Sequence, residues 1–477
     1  MPKELIKNTG IYIVISLFSQ GFIFLLWIAL ARWLAPSQIG IYALVMFIIE
    51  FFSAISIFGL DSAITRFYYT KENASSILSN SLVIFLCSSI LALVLFFFTA
   101  KLIPLFIPGL SNILEENLLL FLGIIFTNSI TNFALIHYTA LKKAVSYAKL
   151  QLFKILFFFV LSLVLVYFGF GISGVFYALL FSSLPVAILF LINERKMVSF
   201  QIISPQIMKS ITSYGFPLML YSILGVVVIY FSRLLLDRYT DLATLGVYSF
   251  FLMLTLQING LWSSFNRAWT PEIFSRFLEN KEKVIENIKF MVFFSSFIYL
   301  LVIALFIIIG ELFFFKLAFK EIYLSNIHLF YILLLAPLFN GIYTAAYPLY
   351  YYRNKTKLIL FISLLLSVVN ILLTLFMVRF FDSTGAAISF FTVAMLSPLI
   401  YLLSFKKIMQ IPKEIIDWTL ILSALMIFNI FILLKTSSLL LFLLITILGA
   451  VLAYKIGKLS KKRYLFFGLL KRVAEKG

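Results

Sequence analysis

One cysteine, two histidines and 19 acidic residues serve a chain of 477 residues. The lone Cys87 lies inside an apolar run, so neither an internal disulfide nor a cysteine-based metal cluster can form. His137 and His328 are too few, and too far apart in sequence, to suggest a metal site. Charged residues make up 12% of the chain, against about 25% in ordinary soluble domains. No Walker A phosphate loop occurs, which argues against an ATP-driven pump on this chain. No polar stretch is long enough for a separate catalytic domain. Large outer loops and clustered acidic motifs such as DxD are also missing, which argues against a membrane-embedded glycosyltransferase or polymerase.

What the chain has instead is apolar length. Hydrophobic residues make up 63%, and the mean hydropathy is +1.10. Runs of about 20 apolar residues recur from end to end, each able to cross about 30 Å of hydrocarbon as a helix. Lipid leaves backbone polar groups no outside partner, so such runs must be helical. Fourteen spans are predicted, near 10–33, 38–60, 77–100, 116–138, 148–168, 171–192, 211–236, 243–266, 288–312, 326–351, 358–380, 384–405, 415–434 and 437–456. The fold class is therefore all-α and polytopic. The first run exceeds a signal-peptide core of about 7–15 residues and has a later counterpart, so it is read as a retained helix despite the cleavage-like Ala29-Leu30-Ala31.

Lys and Arg alternate with the connections. With the N-terminus inside, 30 of the 38 fall on inner connections and eight on outer ones. This bias predicts both termini in the cytoplasm. It also accounts for the net charge of +19 without a nucleic-acid partner.

One connector is written twice. "RWLAPSQIGIY" (Arg32–Tyr42) returns as "RYTDLATLGVY" (Arg238–Tyr248), 206 residues on, with Arg, Gly and Tyr in register. "FGFGISGVF" (Phe168–Phe176) has its counterpart in "RFFDSTGAAI" (Arg379–Ile388), where Gly174 meets Gly385 at an offset of 211. Spans 1–6 thus repeat as spans 7–12, the same way up. The domains expected are a bundle over 1–200, a second over 201–410, and two added helices with a basic tail over 411–477. Parallel repeats of this kind place substrate sites at their interface.

The stretch Arg32–Tyr42 resembles the start of bacterial polysaccharide flippases, the Wzx-type lipid-linked oligosaccharide translocases of the multidrug/oligosaccharidyl-lipid/polysaccharide exporter (MOP) superfamily. "GLDSAITRFYY" (Gly59–Tyr69) and "WTPEIFSRF" (Trp269–Phe277) resemble that family's patterns after the second and eighth spans. The resemblance implies two bundles around a central cavity. It also implies transfer of undecaprenyl-pyrophosphate-linked sugar units across the bacterial cytoplasmic membrane. Glycosyltransferases and a polysaccharide polymerase are the protein partners expected with it.

Charges at membrane depth are costly and mark candidate sites. Glu50, mid-span, with Ser53 and Ser56 at steps of three, is read as a coupling-ion site for H+ or Na+; a structural ion pair is the alternative. Its repeat equivalent is Leu256. Asp61 and Asp237 are further carboxylate candidates. Arg66 is read as an inner phosphate contact, or as an interface anchor. Arg233 and Asp237, four apart, are expected to pair on one helix face. Arg233 and Arg238, with Arg32 from the first copy, would form an outer ledge for pyrophosphate, or would snorkel to headgroups. Lys154, one turn into span five, and Arg267, at the end of span eight, are further cavity cations or snorkellers. Asn128 and Asn132 are expected to hydrogen-bond between helices. No cofactor is expected beyond a coupling ion. The function expected is an alternating-access flippase for isoprenoid-linked oligosaccharides, and the alternative is a multidrug antiporter of the same superfamily.

Overall fold

The computed structural model describes residues 3–68, 74–141, 143–195, 203–258, 260, 281–346, 356–409, 413–436, 442–449 and 451–452. Among these, the regular elements are all helices: α1 (Lys3–Trp33), α2 (Pro36–Ile57), α3 (Leu60–Tyr68), α4 (Ala74–Thr99), α5 (Leu118–Ala140), α6 (Ala144–Leu165), α7 (Gly171–Glu194), α8 (Pro205–Tyr239), α9 (Leu242–Ile258), α10 (Lys281–Ile309), α11 (Ile327–Leu334), α12 (Ala336–Ala346), α13 (Thr356–Met409) and α14 (Lys413–Thr436), with short helical turns between. Nine of the described helical stretches are long and apolar enough to cross a membrane, and Leu242–Ile258 and Ile327–Tyr343 are shorter apolar helices. Two of the nine, Ala144–Glu194 and Leu360–Ser404, each hold two expected spans. The fourteenth span falls partly outside the described residues, as does all of the connector from Arg267 to Asn280.

Both double stretches break at the same place in the repeat. Gly171 sits at φ 53°, ψ −140° and Asp382 at φ 46°, ψ −129°. The two positions differ by 211, the offset that aligns Gly174 with Gly385. The second copy therefore takes the glycine-type turn with an aspartate.

The chain divides into two compact units, residues 1–261 with 363–386, and residues 262–362 with 387–477. In the first, α2 packs against α4, α5 and α8, and α5 and α6 both pack against α7. Span seven thus joins the N-terminal spans through α2, and the unit extends past residue 200. Its core at the α3 end stacks Phe85 on Phe133, with ring centroids 4.9 Å apart, and sets Phe190 edge-on to Phe133. Within lipid, close packing and hydrogen bonds hold helices together. Accordingly, Ser88 Oγ donates to the Ser56 carbonyl at 2.6 Å, and Thr131 Oγ1 to that of Ser183 at 3.2 Å.

The twice-written connector builds one contact in this unit. Gly40 near the start of α2 and Gly246 near the start of α9 touch backbone to backbone. Each helix start is also capped. The Ala35 N–H donates to Gln38 Oε1 at 3.0 Å, and the Thr244 N–H donates to Asp241 Oδ1 at 2.7 Å. These are the two halves of a capping box, one in each copy.

In the second unit α10 packs against α12. A wide helical turn at Gly310–Phe314 follows α10 and carries Glu311, to which the Tyr331 hydroxyl donates. Trp418 Nε1 on α14 donates to Ser296 Oγ at 3.4 Å.

Candidate functional site: a charged and tyrosine-rich network at membrane depth

In the first unit Glu50 on α2, Lys154 on α6 and Arg233 on α8 are part-buried or buried charges, with Asn128 on α5 beside Lys154. Glu50 lies 14 residues into α2, about 21 Å along its axis. Its side chain is enclosed by protein yet partly accessible. On the same face, Ser53 and Ser56 are buried, and Ser56 Oγ turns back to the Phe52 carbonyl at 3.0 Å.

Lys154 sits farther from the start of its helix than from the start of the expected span. Helix α6 begins at Ala144, ahead of the apolar run, because the polar stretch from Ala144 to Lys149 also winds into helix. Lys154 is therefore ten residues from the helix start, about 15 Å along the axis. Its ammonium donates to Asn128 Oδ1 on α5 at 3.0 Å. This is the helix-to-helix use expected for Asn128. Lys154 and Glu50 also attract one another electrostatically.

Arg233 is 2% exposed. The pairing with Asp237 does not form. Asp237 Oδ2 instead accepts the Gly109 N–H at 3.1 Å, so the connection after α4 draws that carboxylate away from Arg233. Ion pairs among the described residues all involve Glu194; Arg233 has no carboxylate there, and its Nε makes no hydrogen bond. Its surroundings are phenols. The guanidinium lies 4.5 Å from the Tyr230 ring centroid. Tyr42 and Tyr248 feel its charge, and Tyr248 OH lies 2.9 Å from Ser232 Oγ. Glu50 lies near enough to Tyr42 and Tyr230 for its charge to act on both.

The other candidates sit apart from it. Arg32 and Arg238 are exposed in the last turns of α1 and α8, at the end where Gly40 meets Gly246. Arg66 and Asp61 are exposed on α3, at the opposite end of α2, and the Arg66 guanidinium lies 4.6 Å from the Tyr214 ring centroid. Arg267 lies outside the described residues.

Sequence reasoning missed a second cluster, near Arg66. Buried His137 sets Nε2 3.5 Å from Glu194 and Nδ1 2.9 Å from Tyr68 OH, with Lys143 4.0 Å from Glu194. The signal lay in Glu194, an acid directly before Arg195 and Lys196 at the end of a span.

Comparison with solved structures places this architecture. An inward-facing MATE-family multidrug resistance transporter of the MOP superfamily aligns with a TM-score of 0.66 and 17% identity, over 84% of this chain and 98% of that one. The lipid II flippase MurJ, in an inward closed conformation, aligns with a TM-score of 0.62 and 16% identity, over 94% and 97%. The MATE multidrug transporter DinF-BH aligns with a TM-score of 0.62 and 17% identity, over 86% and 96%. The chain thus has the fold of MOP-superfamily transporters, with many membrane-crossing helices. A family model described as polysaccharide biosynthesis protein matches residues 29–323, and the chain belongs to that family. No curated protein matches it.

Proposed function

We propose that this protein flips isoprenoid-(pyro)phosphate-linked oligosaccharide units across the bacterial cytoplasmic membrane by alternating access, coupled to an ion through Glu50. The observation that carries this reading is Arg233: a guanidinium almost wholly buried, without a carboxylate among the described residues, and with an unused N–H. A buried cation left in that state is costly unless an anion visits it. Arginine also suits phosphate, since two of its N–H groups can hold two phosphate oxygens at once. The tyrosines around it supply hydroxyls and ring faces, both suited to sugars. Membership of the polysaccharide biosynthesis family agrees with a glycan cargo. Screening the phosphate charge within protein would avoid desolvating it in lipid. On the orientation read from Lys and Arg, Arg66 stands at the cytoplasmic end, where it would meet the headgroup on entry. Arg32 and Arg238 stand at the far end, where it would leave.

The test is flipping in proteoliposomes of an undecaprenyl-pyrophosphate-linked oligosaccharide with a fluorescent sugar, quenched from one side. Arg233→Ala should slow flipping at least about tenfold, the cost of one charged hydrogen bond, and Arg233→Lys should recover part of the rate. Wild-type protein that leaves the lipid-linked glycan unflipped would overturn the reading.

A second reading, efflux of small organic cations, is favoured by Glu50, a partly accessible carboxylate at membrane depth in a MATE-like fold. Lys154 opposes it by setting a positive charge against that carboxylate. Efflux of a cationic dye by the same proteoliposomes, without glycan flipping, would establish it.

A further inference from the structure

The cluster around His137 has no part in the site at Arg233, yet its centre is fully enclosed, with His137 0% exposed. Lys143 Nζ, 4.0 Å from Glu194 Oε1, balances that carboxylate. His137 therefore needs no charge of its own, and an enclosed ring is cheaper neutral. In a neutral imidazole one nitrogen donates and the other accepts, while a carboxylate only accepts. Nε2 faces Glu194 Oε2 at 3.5 Å, beyond a close hydrogen bond but near enough to keep the ring hydrogen on that side. Nδ1 is then the acceptor, and Tyr68 OH donates to it at 2.9 Å. The contacts run from Glu194 on α7, through His137 on α5, to the last residue of α3.

Helix α3 has nine residues and follows a sharp break, where Phe58 and Gly59 both hold left-handed backbone. A helix that short is marginal by itself, so its placement depends on what it packs against. It lies on α4, α5 and α8, with Leu60, Ala63 and Ile64 buried in the shared core. Arg66 is on its exposed side, its guanidinium 4.6 Å from the Tyr214 ring centroid and in no ion pair among the described residues. Tyr68, two residues on, is where the end of α3 is tied down.

We propose that His137 is a positioning residue for headgroup entry: through Tyr68 it fixes the end of α3, and so sets how Arg66 presents its guanidinium to a phosphate. The inference rests on the reading of Arg66 as the entry contact and names what holds that contact in place. A guanidinium grips phosphate oxygens through two N–H groups in one plane. Letting the end of α3 swing costs that second bond while leaving the charge. Glu194 acts one step further back, by fixing which imidazole nitrogen accepts.

The test is equilibrium binding of radiolabelled undecaprenyl pyrophosphate to purified protein in detergent, with no sugar and no transport. All variants are built on Arg233→Ala, which removes the deeper phosphate contact and leaves the entry contact to be read. Arg66→Ala should weaken binding about tenfold or more, as the loss of a charged hydrogen bond does. Tyr68→Phe removes one hydroxyl and should weaken binding at least about threefold, within the worth of a single hydrogen bond. Because Tyr68 acts through Arg66, Arg66→Ala/Tyr68→Phe should bind as Arg66→Ala alone, a full departure from additivity. His137→Asn keeps an acceptor near the place of Nδ1 and should bind as the parent, whereas His137→Leu should match Tyr68→Phe. A purely structural role would lower the melting temperature and leave these affinity ratios at one. Tyr68→Phe that binds as the parent, losses that simply add, or a parent or Arg66→Ala showing no Arg66-dependent binding would each overturn the proposal. Where His137→Leu does not fold, the Tyr68 and Arg66 cycle decides. Flipping by the wild type is a separate measurement, so a failed flipping assay and a failed affinity cycle can be told apart.

Discussion

Gly40 and Gly246 contact one another reciprocally. A Cβ on Gly40 would lie 2.5 Å from the Leu242 carbonyl oxygen and 3.3 Å from the Gly246 nitrogen. A Cβ on Gly246 would collide with the Pro36 carbonyl oxygen and lie 3.1 Å from the Gly40 nitrogen. Pro36 and Leu242 are themselves equivalent in the repeat, 206 apart. The same surface is used on both sides, as in a contact across a two-fold axis. The connector is thus written twice because each copy packs against the other.

The crossing leaves no space for a methyl group. Gly246→Ala should destabilise the protein by about 1–3 kcal/mol through overpacking, and Gly40→Ala should act in the same direction. Gly21→Ala is the control: nothing lies within 4 Å of a Cβ there, and alanine is the better helix former. Thermal unfolding of the three variants should show two losses and no loss at Gly21.

Asp382 holds a backbone conformation that suits glycine, and Gly171 holds the same one in the first copy. An L-residue there costs about 1–3 kcal/mol. Asp382→Gly should therefore raise the melting temperature or leave it level, even though glycine gains freedom in the unfolded chain. Gly171→Asp should lower it. The paired measurement distinguishes backbone strain from an electrostatic role for Asp382, because a required carboxylate would make Asp382→Gly destabilising.

Asp241 lies between α8 and α9, outside the spans, and the Thr244 N–H holds its carboxyl below the usual range. A depressed folded-state value means stability that is present above the unfolded carboxyl range and is lost as pH falls through the folded one. Asp241→Ala should cost about 0.5–1 kcal/mol near neutrality as a lost cap. The gap from the wild type should close in acid. Asp241→Asn should keep most of the cap and flatten the pH dependence. Melting curves from neutral pH down through the carboxylate range check all three.

The spans were legible because lipid demands long apolar helices, and the repeat because Gly and Tyr recur at fixed spacing in Arg32–Tyr42 and Arg238–Tyr248. The partners were not, since they lie on other helices. Asp237 was within reach of Arg233 by i, i+4 spacing, but the Gly109 N–H, 128 residues away, takes it. The start of α6 at Ala144 was not legible because its first residues form a polar stretch that hydropathy leaves outside the span. His137 looked solitary because Tyr68 and Glu194 reach it from α3 and α7.

Cys87 is exposed on α4, with Leu86, Ile90 and Leu91 also outward-facing, on the surface an apolar helix offers to lipid. Replacing that one outward side chain yields a thiol-free background at little risk to packing. Cysteine pairs could then be installed at will, so crosslinking and spin-label distances can follow the transport cycle in an otherwise unaltered chain.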